Sequence, residues 1–415
     1  LLFSQQFWGL LKVLIRKKSN LYKLRKCMIK RLFIAFWMFV ATSLSAQTRV
    51  FLIGDSTTEA WSGPSWYPCM GWGAVLQHFF DKDKVVVDNR AVGGTTTKSF
   101  YNEHWNTVIP DIQSGDYLFI SFGANDSNTY ATWCTTTDEF IDCIGIFCDA
   151  ARAKGATPVL LSTVNRNSWG PHNLLNSSYG QHPQAMKEAA EKYDTPFFDL
   201  YTFGFNLSEE VGSEYNTYYR HNNYKPGEYE NYPEGKEDNV HLQETGATDY
   251  SRYIVEEIEK SEDVRLKTLA EATTPRYNVD FEADNDSMMT SISRSATFPE
   301  GINVTLKSYG IDENKKCFWT NASGDVVSQN NVYVYVMQNH DEHFVAIYND
   351  SSVLQKSVDD FKIYRDRIVF YDNKIHTVSI YTFNGRFVTS VSTNYNYQFN
   401  LKMGAYILTI DGIKS

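Results

Sequence analysis

Three side chains in this sequence have the types and the setting to break an acyl bond. Ser56 follows a short apolar run at 49–53, in the turn Gly54-Asp55-Ser56, while Asp238 and His241 share the stretch Asp238-Asn239-Val240-His241. A hydroxyl is a weak nucleophile until a base takes its proton, and that base must be held in the right tautomer by a third group. A separation of three residues lets one short loop present both side chains, His241 toward the serine and Asp238 toward the other ring nitrogen. Two further positions suit the negative charge that grows on an attacked carbonyl oxygen: the backbone N–H of Gly94 and the side-chain amide of Asn125. The loss of one such donor typically costs about 3–4 kcal/mol of transition-state stabilisation. Each residue alone also has a bland reading. The Gly-Asp-Ser turn fits an Asx turn, Asp238 a helix cap, His241 a buried structural histidine, and Asn125 a residue ordering its own turn. Their joint occurrence in one chain order is what points to nucleophilic acyl transfer.

Residues this far apart must be gathered by the fold. Apolar, β-branched runs at 49–53, 84–88, 117–122, 157–162 and 196–200 are continuous rather than alternating, as expected of parallel strands buried on both faces. Between them Phe140, Ile141, Ile144, Phe147, Cys148 and Ala151 recur at helical spacing, and Ala247, Tyr250, Ile254 and Ile258 form a second stripe. The alternation predicts an α/β protein: three layers, α/β/α, around a central parallel sheet. In such sheets ligands bind beyond the carboxyl ends of the strands. Three Gly-bearing segments fall at those ends: Gly54-Asp55-Ser56, Gly93-Gly94 and Gly123-Ala124-Asn125-Asp126.

The 415 residues suggest two or three domains, and 42% hydrophobic with 21% charged residues is a globular composition. Residues 1–47 carry nine of the 39 bases and no acid, so the remainder has 30 bases against 49 acids, a net charge of about −19. Nucleic acid, which is gripped through its phosphates by basic surfaces, is therefore not an expected partner. Nine histidines without an HExxH pattern and six cysteines without a CxxC announce no metal site. From Met28 the sequence MIKRLFIAFWMFVATSLSAQ has the layout of a secretory signal, with cleavage expected near Ala46. Its nine-residue apolar run would rise only about 14 Å as a helix, too short for a bilayer. The expectation is an exported protein (periplasmic, cell-surface or secreted, in a Gram-negative bacterium) with no membrane span once the signal is removed. Five cysteines would remain, an odd number, and Cys148 falls on the apolar face of its helix.

With these residues in view, the chain resembles an SGNH (GDSL-type) hydrolase, and within that family the rhamnogalacturonan acetylesterase branch (carbohydrate esterase family 12-like). The stretches GDSTTE at 54–59, GWG at 71–73, NRAVGGTTTKSF at 89–100, FGANDSN at 122–128 and DNVHLQETGA at 238–247 carry the likeness, which spans about 49–260. Ala124 and Thr95-Thr96, beside the oxyanion loops, depart from it. The resemblance implies a flavodoxin-like SGNH fold, Ser56 as nucleophile, and an oxyanion hole formed by the Ser56 N–H, Gly94 and Asn125. It also implies Asp238 and His241 as triad partners, no metal or cofactor, and removal of acetyl groups from acetylated pectic polysaccharide.

Substrate contacts are expected in 168–237, a Tyr-, Asn-, Gly- and Pro-rich segment read as a long loop. Arg220, His221 and Lys225 could meet uronate carboxylates there, and Trp169 could line the groove; a solvated loop and a core tryptophan are the plain alternatives. The expected organisation is a signal and upstream segment at 1–47, a catalytic domain at 48–267, and β-rich modules at 268–357 and 358–415. The first module resembles an internalin-type B repeat and the second the sorting tail of Bacteroidota exported proteins; a spacer or weak carbohydrate-binding role is expected of them. Two other functions compete: an SGNH esterase for another acetylated glycan such as xylan or for a lipid-type acyl ester, and a non-catalytic glycan-binding surface protein.

Overall fold

The computed structural model describes residues 47–63, 65–284, 289–310 and 316–349, with short segments between 361 and 414. The expected export signal and the residues before it lie outside the described residues. Strands β1 (Thr48–Gly54), β2 (Val85–Asn89), β3 (Tyr117–Ser121), β4 (Thr157–Leu161) and β5 (Phe197–Phe198) form one parallel sheet in the order β2-β1-β3-β4-β5. The longer helices are α1 (Thr97–Glu103), α2 (Thr137–Ala153), α3 (His182–Lys192), α4 (Leu200–Tyr215) and α5 (Glu244–Lys260).

Side chains alternate along β1, and each face has its own cover. Phe51 and Ile53 of β1 pack with Phe140, Ile144 and Phe147 of α2 and Met186 of α3. Val50 and Leu52 pack on the opposite face with Tyr250, Ile254 and Ile258 of α5. This is the three-layer α/β/α arrangement, and both expected helical stripes pack into it, with Ile141 alone only partly buried. Thr136 caps α2 reciprocally with Glu139, and Thr96 does the same for α1 with Ser99, so both helices start where a side chain satisfies their free N–H groups.

Two expectations change. The fifth strand is only two residues long, because the Asp199 carboxylate accepts the Thr202 N–H and starts α4. The segment 168–237 is not one loop: α3 and α4 lie within it, followed by a helical turn at Asn216–Arg220.

The strands between 276 and 349 pack against the catalytic domain. Strands β6 (Arg276–Ala283), β7 (Met289–Ile292), β8 (Ala296–Pro299), β9 (Asn303–Gly310), β10 (Lys316–Asn321), β11 (Val326–Ser328), β12 (Val332–Val336) and β13 (Glu342–Asn349) make two sheets, β11-β10-β13-β6-β8 and β12-β9-β7. Val279, Phe298, Val304, Leu306, Trp319 and Phe344 from this module share one apolar core with α5 and with Leu266, Leu269 and Ala272. Strands between 361 and 414 form two further small sheets.

At the end of β1 a Cβ on Gly54 would sit 2.5 Å from the backbone oxygen of Ser121 on β3. Only glycine lets the two strands close beside Ser56. Gly54→Ala is therefore expected to lower stability by about 1–3 kcal/mol. Urea unfolding checks this, and an unchanged midpoint would contradict it.

Candidate active site

β1 ends at Gly54 and delivers Ser56 to the carboxyl edge of the sheet, where the residue is 7% exposed. The loop before α5 brings His241 to it: His241 Nε2 lies 2.9 Å from Ser56 Oγ, and Nδ1 lies 2.8 Å from Asp238 Oδ2. A carboxylate at Nδ1 keeps the ring proton there and leaves Nε2 free to accept from the serine hydroxyl. Asp238 is itself fastened, its Oδ1 accepting the N–H groups of Val240 at 3.0 Å and His241 at 3.1 Å. Asn222 donates to Oδ2 at 3.2 Å, while Asn223 exchanges hydrogen bonds with the Asp238 backbone. Burial raises the pKa of this carboxyl, but the hydrogen bond and charge of His241 and the two N–H groups outweigh that effect. The net result lies well below the ordinary carboxylate range, so Asp238 stays ionised far into acid.

The oxyanion side is equally constrained. Gly94 has φ +77°, a left-handed conformation in which glycine is unstrained. Asn125 Nδ2 donates to Thr95 O at 3.0 Å, which holds its amide beside the Gly94 loop. Buried Asp126 accepts the Thr97 N–H at 3.0 Å and its hydroxyl at 2.6 Å, tying the Asn125 loop to the start of α1. Burial pushes the Asp126 carboxyl up to about 6 despite those bonds. Ser56, Gly94, Asn125 and His241 all line one open cleft of about 830 Å³. The sequence-expected nucleophile, base, acid and oxyanion donors are thus brought together.

The expected sugar contacts are not. Arg220 and His221 are fully buried. The Arg220 guanidinium donates from Nε to Asp249 at 3.0 Å and from Nη1 to Asn216 at 2.8 Å and Ser208 at 3.1 Å. His221 is held between the backbone oxygens of Asn216 and Asn165. Lys225 packs its ammonium 3.8 Å from the Tyr309 ring centroid, outside the residues that line the cleft. Trp169 donates to Asn167, which in turn donates its backbone N–H and its amide to Asn239; it braces the loop that carries the triad instead of lining the cleft.

Other cleft residues escaped the sequence reading. Trp61 donates its indole N–H to Ser56 O at 2.8 Å and stands edge-on to His241, ring centroids 5.2 Å apart. Its φ of +50° is unusual for a bulky residue and marks a locally forced geometry. Tyr130, Tyr179 and Arg166 complete the wall, Arg166 lying just past the carboxyl end of β4. That position was the available signal for it. Among the described residues no group of three His, Cys, Asp or Glu side chains is placed to hold a metal ion, and no helix is long and apolar enough to cross a membrane. The five described cysteines are free thiols, and burial pushes Cys69 and Cys148 up to about 12.

The model of the GDSL-like Lipase/Acylhydrolase family matches residues 52–248. A rhamnogalacturonan acetylesterase of Bacillus subtilis (strain 168) is 37% identical over 213 residues, covering 51% of this chain and 90% of the relative. The chain belongs to the GDSL-like acylhydrolases. As a member of that family it is a serine esterase. A second Bacillus subtilis protein, named a probable rhamnogalacturonan acetylesterase, is 26% identical across 51% of this chain and 93% of its own length. Among solved structures, an acetylxylan esterase from Geobacillus stearothermophilus aligns at 16% identity and TM-score 0.39, covering 51% of this chain and 93% of that one.

The buried His221 gives this acylhydrolase a testable acid sensitivity. Burial, with the neighbouring Arg220 charge, pulls its imidazole down to about 4 from the ordinary 6.5, against weaker help from two backbone oxygens and Asp238. Between those values the unfolded chain binds a proton that the folded chain refuses, so this group contributes stability above pH 6.5 that is lost as pH falls toward 4. His221→Gln is expected to flatten the pH dependence of thermal unfolding over that window. A wild-type slope in the variant would contradict the assignment.

Proposed function

We propose that this chain is an exported carbohydrate acetylesterase that removes O-acetyl groups from a uronate-bearing pectic polysaccharide of the rhamnogalacturonan type, through a Ser-His-Asp acyl-enzyme. One observation carries the reading: Ser56 Oγ, the His241 ring and Asp238 Oδ2 form a continuous relay, with steps of 2.9 and 2.8 Å, whose Ser56 and His241 line an open cleft. The names of the two Bacillus subtilis relatives support the acetyl group and the pectic backbone. The layout of residues 28–46 supports export.

In the forward half-reaction Ser56 Oγ attacks the acetyl carbonyl carbon as its proton passes to His241 Nε2. Asp238 stabilises the imidazolium, and the Ser56 N–H, the Gly94 N–H and the second Asn125 amide hydrogen receive the oxyanion. The sugar oxygen departs with the proton from His241, leaving acetyl-Ser56. Water, deprotonated by His241, then attacks the acetyl-enzyme; acetate leaves and the proton returns to Ser56. Ser56→Ala is expected to reduce acetate release by about 10⁴-fold or more without altering the fold. Undiminished turnover by the purified variant would refute the role.

A second observation favours a charged sugar over neutral xylan. Arg166 is exposed in the cleft wall, is the one lysine or arginine among its described lining residues, and makes no ion pair among the described residues. Arginine meets a carboxylate through two parallel N–H···O bonds. Arg166→Ala should raise KM for acetylated, uronate-bearing oligosaccharides about tenfold, as expected for a lost charged hydrogen bond. Turnover of 4-nitrophenyl acetate and acetylated xylo-oligosaccharides should change by less than about twofold, because neither offers a carboxylate for this contact. An equal loss on all three substrates would contradict the carboxylate contact.

A further inference from the structure

The acid–base half of the relay is fastened from outside the family-matched region. His241, Leu242, Gln243 and Glu244 run alongside the segment 218–223: the Asn222 N–H donates to His241 O at 2.9 Å and the Gln243 N–H to Arg220 O at 3.0 Å. Gln243 Nε2 also donates to Tyr218 O and His221 O, at 2.9 and 2.6 Å. Asn222, from the same pair of segments, holds the Asp238 carboxylate. Strand β9 clamps both. On one of its faces Thr305 Oγ1 donates to Glu244 Oε2 at 2.7 Å. Two residues on, Lys307 Nζ donates to Tyr218 O at 2.8 Å, lies 3.4 Å from Gln243 Oε1, and pairs with Glu228 Oε2 at 3.1 Å. Tyr309, two further on, donates to Glu228.

The Lys307 side chain is 1% exposed and that of Glu228 8%. The rings of Tyr219, Tyr224, Tyr229 and Tyr309 surround the ammonium at 5.5–5.9 Å. Taking such a pair out of water costs several kcal/mol per ion, so a buried ion pair is weak evidence of a gain in stability. What this one provides is direction: an ammonium with three oxygen acceptors fixes where Tyr218, Gln243 and Glu228 stand relative to β9.

We propose that Lys307 is a positioning residue for the Asp238–His241 pair, and that the β module carrying it belongs to the catalytic unit. The proposal rests on the roles assigned above to Ser56, His241 and Asp238. Lys307 touches no reacting atom; it acts through Gln243 and the 218–223 segment on the geometry of the imidazole and its carboxylate.

The test uses the full chain and 4-nitrophenyl acetate, a substrate too small to reach the module. In Lys307→Met/Glu228→Gln neither charge is left unpaired. Thr305→Val removes a single hydrogen bond at nearly constant volume. The double variant should unfold cooperatively, lose about tenfold or more in kcat and keep KM within about twofold, the signature of a misplaced reacting group. Thr305→Val should show the same split, two- to fivefold in size. In both, the low-field proton resonance of His241 Nδ1–H bonded to Asp238 should weaken or shift, which a loss of stability alone would not produce. Wild-type kcat with an unmoved resonance in a folded double variant would overturn the proposal. If the double variant does not fold, the same result in Thr305→Val overturns it. An inactive wild type, or an active Ser56→Ala, would instead mark failure of the triad assignment.

Discussion

A hydrogen-bonded relay between residues 185 positions apart in the chain is the constraint around which this molecule is built. Neither half is chemically active alone. The serine hydroxyl needs a neutral nitrogen within hydrogen-bond reach, and that nitrogen needs a fixed charge behind it. The parallel sheet solves the first half by ending β1 at a glycine and turning immediately into Ser56. The second half is not carried at the end of a strand of that sheet, so it is held largely by polar contacts. Asn222, Asn223 and the N–H groups of Val240 and His241 converge on Asp238, and Asn167, braced by Trp169, holds Asn239.

The same economy governs charge. The chain is acidic overall, with 39 bases against 49 acids, yet two cations among the described residues are buried: Arg220, paired with Asp249 of α5, and Lys307 within the tyrosine cage. Arg220 donates to the side chains of Asp249, Asn216 and Ser208, and Lys307 to the Tyr218 backbone oxygen, Gln243 and Glu228. That leaves Arg166 facing solvent in the cleft. An exposed arginine that makes no ion pair among the described residues, standing in the same cleft as Ser56 and His241, is suited to meet an anionic group through two parallel hydrogen bonds.

Much of this was legible in the residues themselves. Continuous β-branched runs mark parallel strands because both faces are covered, and the stripe Ala247, Tyr250, Ile254 and Ile258 marks α5 because one side of it faces the sheet. The triad and oxyanion positions were legible too, since strand-end glycines and the DNVH spacing are local signals. The tyrosine-rich segment was not. Tyr219, Tyr224 and Tyr229 look like a solvent-facing sugar platform when their partner strand, some 80 residues later, is out of view; in the fold they are buried around Lys307. Arg220 and His221 were misjudged for the same reason, because polar residues appear exposed until Asp249, Asn216 and Asn165 are brought to them. Burial of a polar side chain is decided by tertiary partners, which composition does not encode.

The central claim is that Ser56 becomes a nucleophile only through His241. Mass spectrometry of the intact and digested protein after treatment with a serine-directed fluorophosphonate tests it most directly. The account predicts a single stoichiometric adduct on the peptide carrying Ser56, and its near-complete loss in His241→Ala. Labelling that persists at full rate without the imidazole, or that falls on another residue, would contradict it.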